Sequence, residues 1–340
     1  MMQRPISPLA QRLSGFAQQL HAAVPADNFL STQSLQLCLA LIGCGAHGET
    51  LAEMQQVLGW AQTADWANDL AALFAEVRAT CNGNEPVVAS ANRVYAKCAI
   101  QAEYARAVQG AFSADVVNMG TADEINEFVA DKTRDKIKEL VTEDDVAKSA
   151  LIAVNALYFK GAWRYQFELA KTRVAPFHGP GGDTADCHLM QLSHGHDSGW
   201  QYYEDAERQC ILLPYRGADG EESELAALIV LPRAQEANPM AGVQVAAACE
   251  LLRTQTRRKG TILLPRFDLE STTELQDAVQ GLGLRRALTG AGASAGEFSA
   301  ADDWERGHHR APVGAVRAAA RSDGRRGDAR RHRPDRRADG

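Results

Sequence analysis

A run of mostly apolar residues, ALIAVNALYFKGAW at positions 150–163, is the feature that most constrains the fold. It is rich in residues that favour strands, and its first charged residue is Lys160. A strand with apolar side chains on both faces needs a covering layer on each face. The run therefore predicts a central strand between two layers. Asn155 in its middle must find hydrogen-bond partners, because buried polar groups are nearly always satisfied.

The chain before this strand predicts mainly helices. Apolar residues at helical spacing indicate an amphipathic helix over 9–20 that lies on a core. Residues 35–42 are apolar nearly all round, which predicts a buried helix that Ser31 or Thr32 can cap. A further helix over 49–58 follows after two glycines.

Thr121 and Glu124 have the spacing of a capping box, and the pattern after them predicts one long surface helix over 121–141. After residue 150 the chain predicts mainly strands, with one short helix over 273–284. The further strands are predicted over 87–97, 209–215, 225–232 and 261–270. Since helices and strands do not alternate as βαβ units, the pattern favours an α+β fold, in a single domain over 1–303.

The C-terminal segment 304–340 differs sharply from the rest. Eleven arginines and four aspartates give residues 306–340 a charge of +7, which leaves −14 for residues 1–305 of a chain with net charge −7. No Leu, Ile, Phe, Tyr or Trp occurs after Trp304. Such a segment buries too little apolar surface to offset the entropy of ordering, so it predicts a disordered tail. The acidic body disfavours nucleic-acid binding, which only the tail could support.

No catalytic or cofactor site is readable. The chain has no nucleophile elbow, no Walker motif and no dinucleotide-binding glycine pattern. The most metal-like group is Cys187, His188, His194 and His196, in a glycine-rich stretch that predicts a surface loop. Adjacent Cys187 and His188 fit one tetrahedral ion poorly, so no metal site is predicted.

Compartment is predicted from the cysteines and the N-terminus. Seven widely spaced cysteines without a CxxC pair favour free thiols in a reducing compartment. The first 24 residues lack the apolar core of a signal peptide, and no segment has the roughly 18 apolar residues of a membrane span. We therefore expect a cytoplasmic protein without a membrane partner.

Several ordered motifs between about residues 9 and 300 resemble the serpin family of protease inhibitors. The motifs are NFLSTQSLQL followed by GAHGETLAEM, SANRVYAK, INEFVADKTRDKIKELV, VNALYFKGAWRYQF, LLPY, IVLP and LPRFDLE. Two positions depart from the family pattern, since Thr32 replaces the usual proline and Phe128 the usual tryptophan. The match at 154–167 is the most specific of them.

The resemblance implies a metastable, monomeric α+β domain with three β-sheets and about eight or nine helices. It also implies a mechanism, in which a serine or cysteine protease cuts an exposed reactive loop and the loop then inserts into the central sheet. By position, Ser31, Ser34 and Asn155 match the polar shutter beneath that sheet, and Trp163 matches the tryptophan of the breach, where insertion starts. These residues control conformation and are not catalytic, and we expect the two serine hydroxyls at the start of the buried helix to satisfy the Asn155 side chain. Many members of the family are extracellular, which is the alternative localisation.

The resemblance breaks down after residue 303. The family expects a histidine-bearing strand, an alanine-rich hinge, the reactive loop and three C-terminal strands, two of them buried in the second sheet. None is readable in the tail, and His309 stands too close to Phe298 to count. An arginine-rich run in that place is what a shifted reading frame gives in a GC-rich gene, which predicts an inactive inhibitor. The alternatives are a non-inhibitory serpin that acts as a binding module and nucleic-acid binding through the basic tail.

Overall fold

The computed structural model describes residues 6–24, 29–79, 87–97, 99–179, 182–193, 199–217, 222–233, 243–289 and 317–321. The ten α-helices of these residues are α1 Pro8–Ala23, α2 Thr32–Gly43, α3 Gly48–Leu58, α4 Trp66–Ala79, α5 Ala102–Phe112, α6 Ala122–Lys132, α7 Glu143–Lys148, α8 Val245–Thr254, α9 Gln276–Gly281 and α10 Arg286–Thr289. The eleven strands are β1 Val87–Ala96, β2 Asp115–Asn118, β3 Leu151–Lys160, β4 Arg173–His178, β5 Thr184–Ser193, β6 Gln201–Glu204, β7 Arg208–Arg216, β8 Glu222–Pro232, β9 Thr261–Pro265, β10 Glu270–Glu274 and β11 Arg317–Arg321. The α+β class is confirmed, with ten helices where about eight or nine were expected.

The strands form three three-stranded sheets and one two-stranded pair. The orders are β2-β1-β3, β4-β5-β9, β6-β7-β8 and β10-β11. Strands β1 and β2 are parallel, whereas the other paired strands are antiparallel. The chain up to β3 thus contains most of the described helices, and the chain after β3 supplies the other eight described strands.

Helix α2 is buried nearly all round, as its sequence predicts. Ser31 is its N-cap, with a hydroxyl that accepts a hydrogen bond from the Ser34 amide at 3.2 Å. Gly43 ends the helix where two stacked tryptophans, Trp60 and Trp66, close over it. A Cβ atom at Gly43 would lie 2.9 Å from atoms of both indole rings, so only glycine fits there without a shift.

Strand β3 is covered on both faces, which confirms that part of the prediction. Its alternate residues Ile152 and Val154 pack in one cluster with Ile125 and Val129 of α6. Leu151 belongs instead to the main core on the α2 side. The sequence also predicts that this strand is central in its sheet. Among the described strands, however, β3 pairs only with β1 and lies at the edge.

The predicted long helix over 121–141 is wrong, because α6 ends at Lys132. Its capping box at Thr121 and Glu124 is confirmed. Thr133 ends the helix, since its hydroxyl donates to the Val129 carbonyl at 2.7 Å and accepts from the Ile137 amide at 3.1 Å. The next two residues have φ values of 53° and 59°, outside the helical region. Short-range side-chain bonding therefore outweighs the apolar periodicity here.

Two other expectations also need correction. The predicted loop around Cys187 is in fact strand β5, and it is paired on both edges by β4 and β9. The predicted strand over 261–270 divides, because Pro265 ends β9 and β10 begins only at Glu270. Within the tail that is predicted to be disordered, residues 317–321 form β11 against β10, and the disorder of the tail as a whole stays a prediction. The remaining residues of 304–340 lie outside the described part of the chain.

Candidate conformational-control site

Two of the predicted site residues contact each other through a single hydrogen bond. Ser34 lies in the first turn of α2, and its hydroxyl donates to the main-chain carbonyl of Asn155 on β3 at 3.2 Å. Ser31 plays a different part, because its hydroxyl caps α2 and so orients the turn that carries Ser34. The prediction that both serine hydroxyls bond to the Asn155 side chain is therefore wrong, because Ser34 bonds to the Asn155 main chain and Ser31 to the Ser34 amide. The serines instead tie the helix start to the strand main chain.

The Asn155 side chain finds its partners on the neighbouring strand β1. Its Nδ2 donates to Ser90 Oγ at 2.8 Å and to Asn92 Oδ1 at 2.8 Å. The antiparallel register places Asn92 directly opposite Asn155. Asn92 in turn donates from Nδ2 to the Phe112 carbonyl at 2.8 Å, at the end of α5. A chain of polar contacts thus joins β3, β1 and α5 inside an apolar layer.

One acceptor of this cluster is unsatisfied. Asn155 is 6% exposed, and its Oδ1 is buried without a hydrogen-bond partner among the described residues. A buried acceptor that lacks a donor costs roughly 1–3 kcal/mol. The cluster can therefore accept one more hydrogen bond, at Asn155 Oδ1.

The thiol of Cys38 lies beside the same strand. Cys38 follows Ser34 by one helical turn on α2, and burial raises its thiol pKa to about 12, although a hydrogen bond with the Asn155 main chain acts in the opposite direction. The thiol is therefore neutral at physiological pH. A neutral, weakly polar group suits the apolar side of this helix.

Helix α6 covers the opposite face of the sheet. The Arg93 guanidinium of β1 lies 3.9 Å from the ring centroid of Phe128 on α6, in a cation–π contact. Tyr95, two residues further along β1, is buried with Ile125 and Val129 of the helix. Burial raises the pKa of the Tyr95 hydroxyl. The sheet is thus held between α2, with its polar contacts, and α6, with largely apolar ones.

Trp163 lies beyond the end of β3, away from the serine–asparagine cluster. Its ring stacks on Tyr215 of β7 with centroids 4.8 Å apart, and the two residues form an isolated antiparallel bridge. Phe159 meets the same Tyr215 ring edge-on at 5.0 Å. Gly161 allows this approach, because a Cβ atom there would lie 2.6 Å from the tyrosine ring. Trp163 therefore joins the β3 end to the sheet β6-β7-β8.

Comparison with known proteins gives the same family by sequence and by fold. The sequence model of Serpin (serine protease inhibitor) matches residues 11–309. This chain belongs to the serpin family. Serpin B8 of Bos taurus is 30% identical over 80% of this chain and 74% of that protein. The leukocyte elastase inhibitor of Equus caballus is 29% identical over 78% of this chain and 73% of that protein. The crystal structure of native protease nexin-1 with heparin superposes with a TM-score of 0.75, at 19% identity, over 93% of this chain and 87% of that one.

In this serpin, sequence reasoning missed Ser90 and Asn92, the partners of the Asn155 side chain. Both lie in the motif SANRVYAK, at alternating positions of a predicted strand, so they share one face of it. That alternation of two small polar residues within a buried strand was the available signal. Pairing them with Asn155 requires the strand register, which no local pattern supplies.

Of the four residues that were considered as metal ligands, the structure of this serpin describes Cys187 and His188. Cys187 and His188 are neighbours on β5, where successive side chains point to opposite faces of a sheet. His194 and His196 lie outside the described residues. Within the described ranges, no group of three or more potential ligands surrounds a metal position.

Five cysteines of this serpin are described, and all are free thiols, as expected for them; they are Cys38, Cys44, Cys187, Cys210 and Cys249. Cys81 and Cys98 lie outside the described residues. Among the helices that the structure describes, none has the length and hydropathy that a bilayer crossing requires.

Proposed function

We propose that this chain has the body of an inhibitory serpin and is inactive as it stands, because the hinge and reactive loop are replaced after residue 303. The intact protein would inhibit a serine or cysteine protease by loop cleavage and loop insertion, acting as a monomer. The observation that carries the proposal is the β3 edge that faces away from β1. Among the described strands, none pairs with that edge, while both faces of β3 are covered.

The edge of a covered strand that has no partner among the described strands can act as a template for strand addition. Its main-chain amide and carbonyl groups pair readily with an extended segment, which is the physical basis of loop insertion. The contacts beneath it are easily exchanged, since Ser34 holds the strand main chain with one hydroxyl bond. Such a bond contributes only about 0.5–1.5 kcal/mol. This bond can therefore break and re-form at little cost when the sheet moves.

The unsatisfied Asn155 Oδ1 supports the view that the chain lacks a segment of its normal partner structure. The family implies a histidine-bearing strand near this position, and an imidazole N–H would supply the missing donor. The family match ends at residue 309, and the arginine-rich run follows it. We infer a shift of the reading frame between Ser299 and Arg310, with 1–303 as native sequence and 304–340 as non-native.

Two experiments test this proposal in sequence. Sequencing the gene past the codon for Ser299 should give, in a shifted frame, an alanine-rich hinge and apolar C-terminal strands. If no frame gives them, the inferred frameshift is wrong. The frame-corrected protein and the present chain are then incubated with a panel of serine and cysteine proteases and resolved on denaturing gels.

The frame-corrected protein should form a covalent complex that survives denaturation, whereas the present chain should form none. The matched control is the same protease with its nucleophile blocked, which should give no complex with either protein. A covalent complex from the present chain would contradict the proposed inactivity. Cleavage of the frame-corrected protein without any trapped complex would instead favour a non-inhibitory serpin.

A further inference from the structure

Two cysteines lie in the small apolar cluster between helix α8 and the sheet β6-β7-β8. The buried members of that cluster are Cys210 and Leu212 of β7 and Leu252 of α8, none more than 5% exposed. Cys249 of α8 packs against the cluster and is partly exposed. Cα atoms of α8 lie within 8 Å of Cα atoms of β6 and of β7. The two thiols therefore share one packed layer, although they lie far apart in the sequence.

The local structure directs both cysteines into this layer. Cys210 and Leu212 are alternate residues of β7, so their side chains are on the same face of the sheet. Cys249 and Leu252 are three residues apart on α8, so they share one face of the helix. Since Leu252 is 0% exposed, that face is the one that packs on the sheet. The thiols of Cys210 and Cys249 hence approach the same layer from opposite sides.

The electrostatics of the two thiols also point to close approach. Burial raises the pKa of Cys210, and the Cys249 thiol contributes in the same direction. Such an influence falls off with distance, so it agrees with the packing. Burial also raises the pKa of Cys249, whereas the guanidinium group of Arg253, one turn later, acts in the opposite direction. Cys249 is therefore the more accessible thiol, and a nearby cation favours its reactive thiolate form.

We propose that Cys210 and Cys249 form a disulfide when the protein meets a low-molecular-weight disulfide such as oxidised glutathione. The Cys249 thiolate attacks one sulfur of the reagent, which releases one reagent thiolate and leaves a mixed disulfide on Cys249. The Cys210 thiolate then attacks the Cys249 sulfur and releases the second reagent thiolate. Two electrons pass from the protein thiols to the reagent, and the two thiol protons end on the two released reagent thiols.

The bond fastens α8 to β7 covalently. A disulfide holds the Cα atoms of its cysteines about 4.4–6.8 Å apart, so oxidation fixes the helix at a short distance from the strand. It also closes a long loop of the chain, which restricts the unfolded state and makes unfolding less favourable. Oxidation therefore stabilises the sheet β6-β7-β8 from the side of α8. Both cysteines lie before residue 304, so the inference does not depend on the origin of the tail.

Mapping of disulfides in the full chain tests the proposal. The reduced protein is incubated with oxidised glutathione, its remaining thiols are alkylated, and it is digested with trypsin without a reductant. Trypsin releases Cys210 in peptide 209–216 and Cys249 in peptide 234–253. The two peptides should be recovered linked, with a mass about 2 Da below the sum of the separate reduced peptides. The oxidised protein should also unfold at a higher urea concentration than the reduced protein.

The same oxidation in concentrated urea is the first control, because the unfolded chain pairs its seven cysteines without guidance from the fold. The linked peptides 209–216 and 234–253 should dominate in the folded protein and be one pair among many in urea. Equal proportions under the two conditions would overturn the proposal. A Cys249 that stays as a mixed disulfide with glutathione would also overturn it, as would linked peptides that come only from a disulfide-bonded dimer.

Substitutions provide the second control. Cys210→Ser and Cys249→Ser should each abolish the linked peptides and the shift in urea midpoint. Cys187→Ser removes a partly exposed thiol on β5 and should keep both. A midpoint shift that persists in both of the first two variants would assign the stabilisation to another pair of cysteines and would overturn the covalent link between α8 and β7. The peptide map of the parent decides the pairing even where a serine variant fails to fold.

Discussion

The layer around β1 and β3 differs from the two sheets that follow it in how completely its apolar residues are covered. In the first region, α2 and α6 lie on opposite faces, and side chains such as Leu41 and Ile125 are 0% exposed. In the later sheets, Val174 on β4 is 61% exposed and Leu231 on β8 is 53% exposed. The first region is covered on both faces except towards the end of β3, where Phe159 is 43% exposed, and the later sheets lack cover over part of their surface.

The exposed residues of the later sheets lie on faces that are buried elsewhere. Leu231 lies two residues after Ile229 on β8, so both side chains are on the same face of the sheet. Ile229 packs in the cluster of Leu192, Trp200 and Leu213. Apolar residues exposed beside a buried face offer surface that a further strand would cover, although single exposed apolar residues are common in proteins. The family implies two C-terminal strands buried in the second sheet, so this exposure supports the proposed loss of those strands.

The largest effect expected from this difference is on stability. Leu41→Ala in α2 should lower the free energy of unfolding by about 2–5 kcal/mol, because it removes a fully buried side chain and leaves a cavity. The matched change in the later sheets, Leu231→Ala, should cost about 0.5 kcal/mol or less. Urea unfolding followed by circular dichroism measures both. Similar losses for the two variants would show that Leu231 is covered in solution and would contradict the comparison.

The two regions also differ in how far sequence could predict them. The apolar run at 150–163 predicts a strand that is covered on both faces, because nearly every side chain in it is apolar on either face. Strand β5 was missed because glycines before it suggest a loop, while its order comes from pairing with β4 and β9. Such long-range pairing leaves little trace in the local sequence.

The candidate site shows the same limit. Ser34 and Asn155 could be placed together from the family resemblance, and a polar residue in a buried strand demands partners. The atoms that meet were not predictable, since Ser90 and Asn92 reach Asn155 only through the β1–β3 register. The end of α6 at Lys132 likewise depends on the hydrogen bonds that the Thr133 hydroxyl makes.

A polar substitution tests whether the first region depends on its internal hydrogen bonds. Asn155→Ala removes the donor that serves Ser90 and Asn92, and it leaves their oxygens buried. We expect a loss of about 1–3 kcal/mol in the free energy of unfolding. The control Asn118→Ala changes an exposed asparagine on β2 and should stay within about 0.5 kcal/mol of the parent. If the two variants are equally stable, the cluster contributes nothing and the proposed shutter role loses its structural basis.

The smallest expected effect is the loss of stability at alkaline pH that follows from the buried thiol of Cys38. Burial raises the pKa of Cys38 to about 12 from its ordinary value of 9.0, so the unfolded chain loses this proton first as the pH rises. Stability from the neutral thiol is therefore fully present below pH 9.0 and is lost progressively between pH 9.0 and about 12. At pH 10 the loss should be about 1.4 kcal/mol relative to pH 7.5.

Urea unfolding of the parent and of Cys38→Ala at pH 7.5 and pH 10 measures this loss. The difference in unfolding free energy between the two pH values should shrink by about 1.4 kcal/mol in Cys38→Ala, because the variant has no thiol there to ionise. An unchanged difference in Cys38→Ala would mean that the thiol beneath β3 ionises as readily in the folded protein as in the unfolded chain. The layer between α2 and β3 would then be open to water, and the contrast between the two regions would fail at this point.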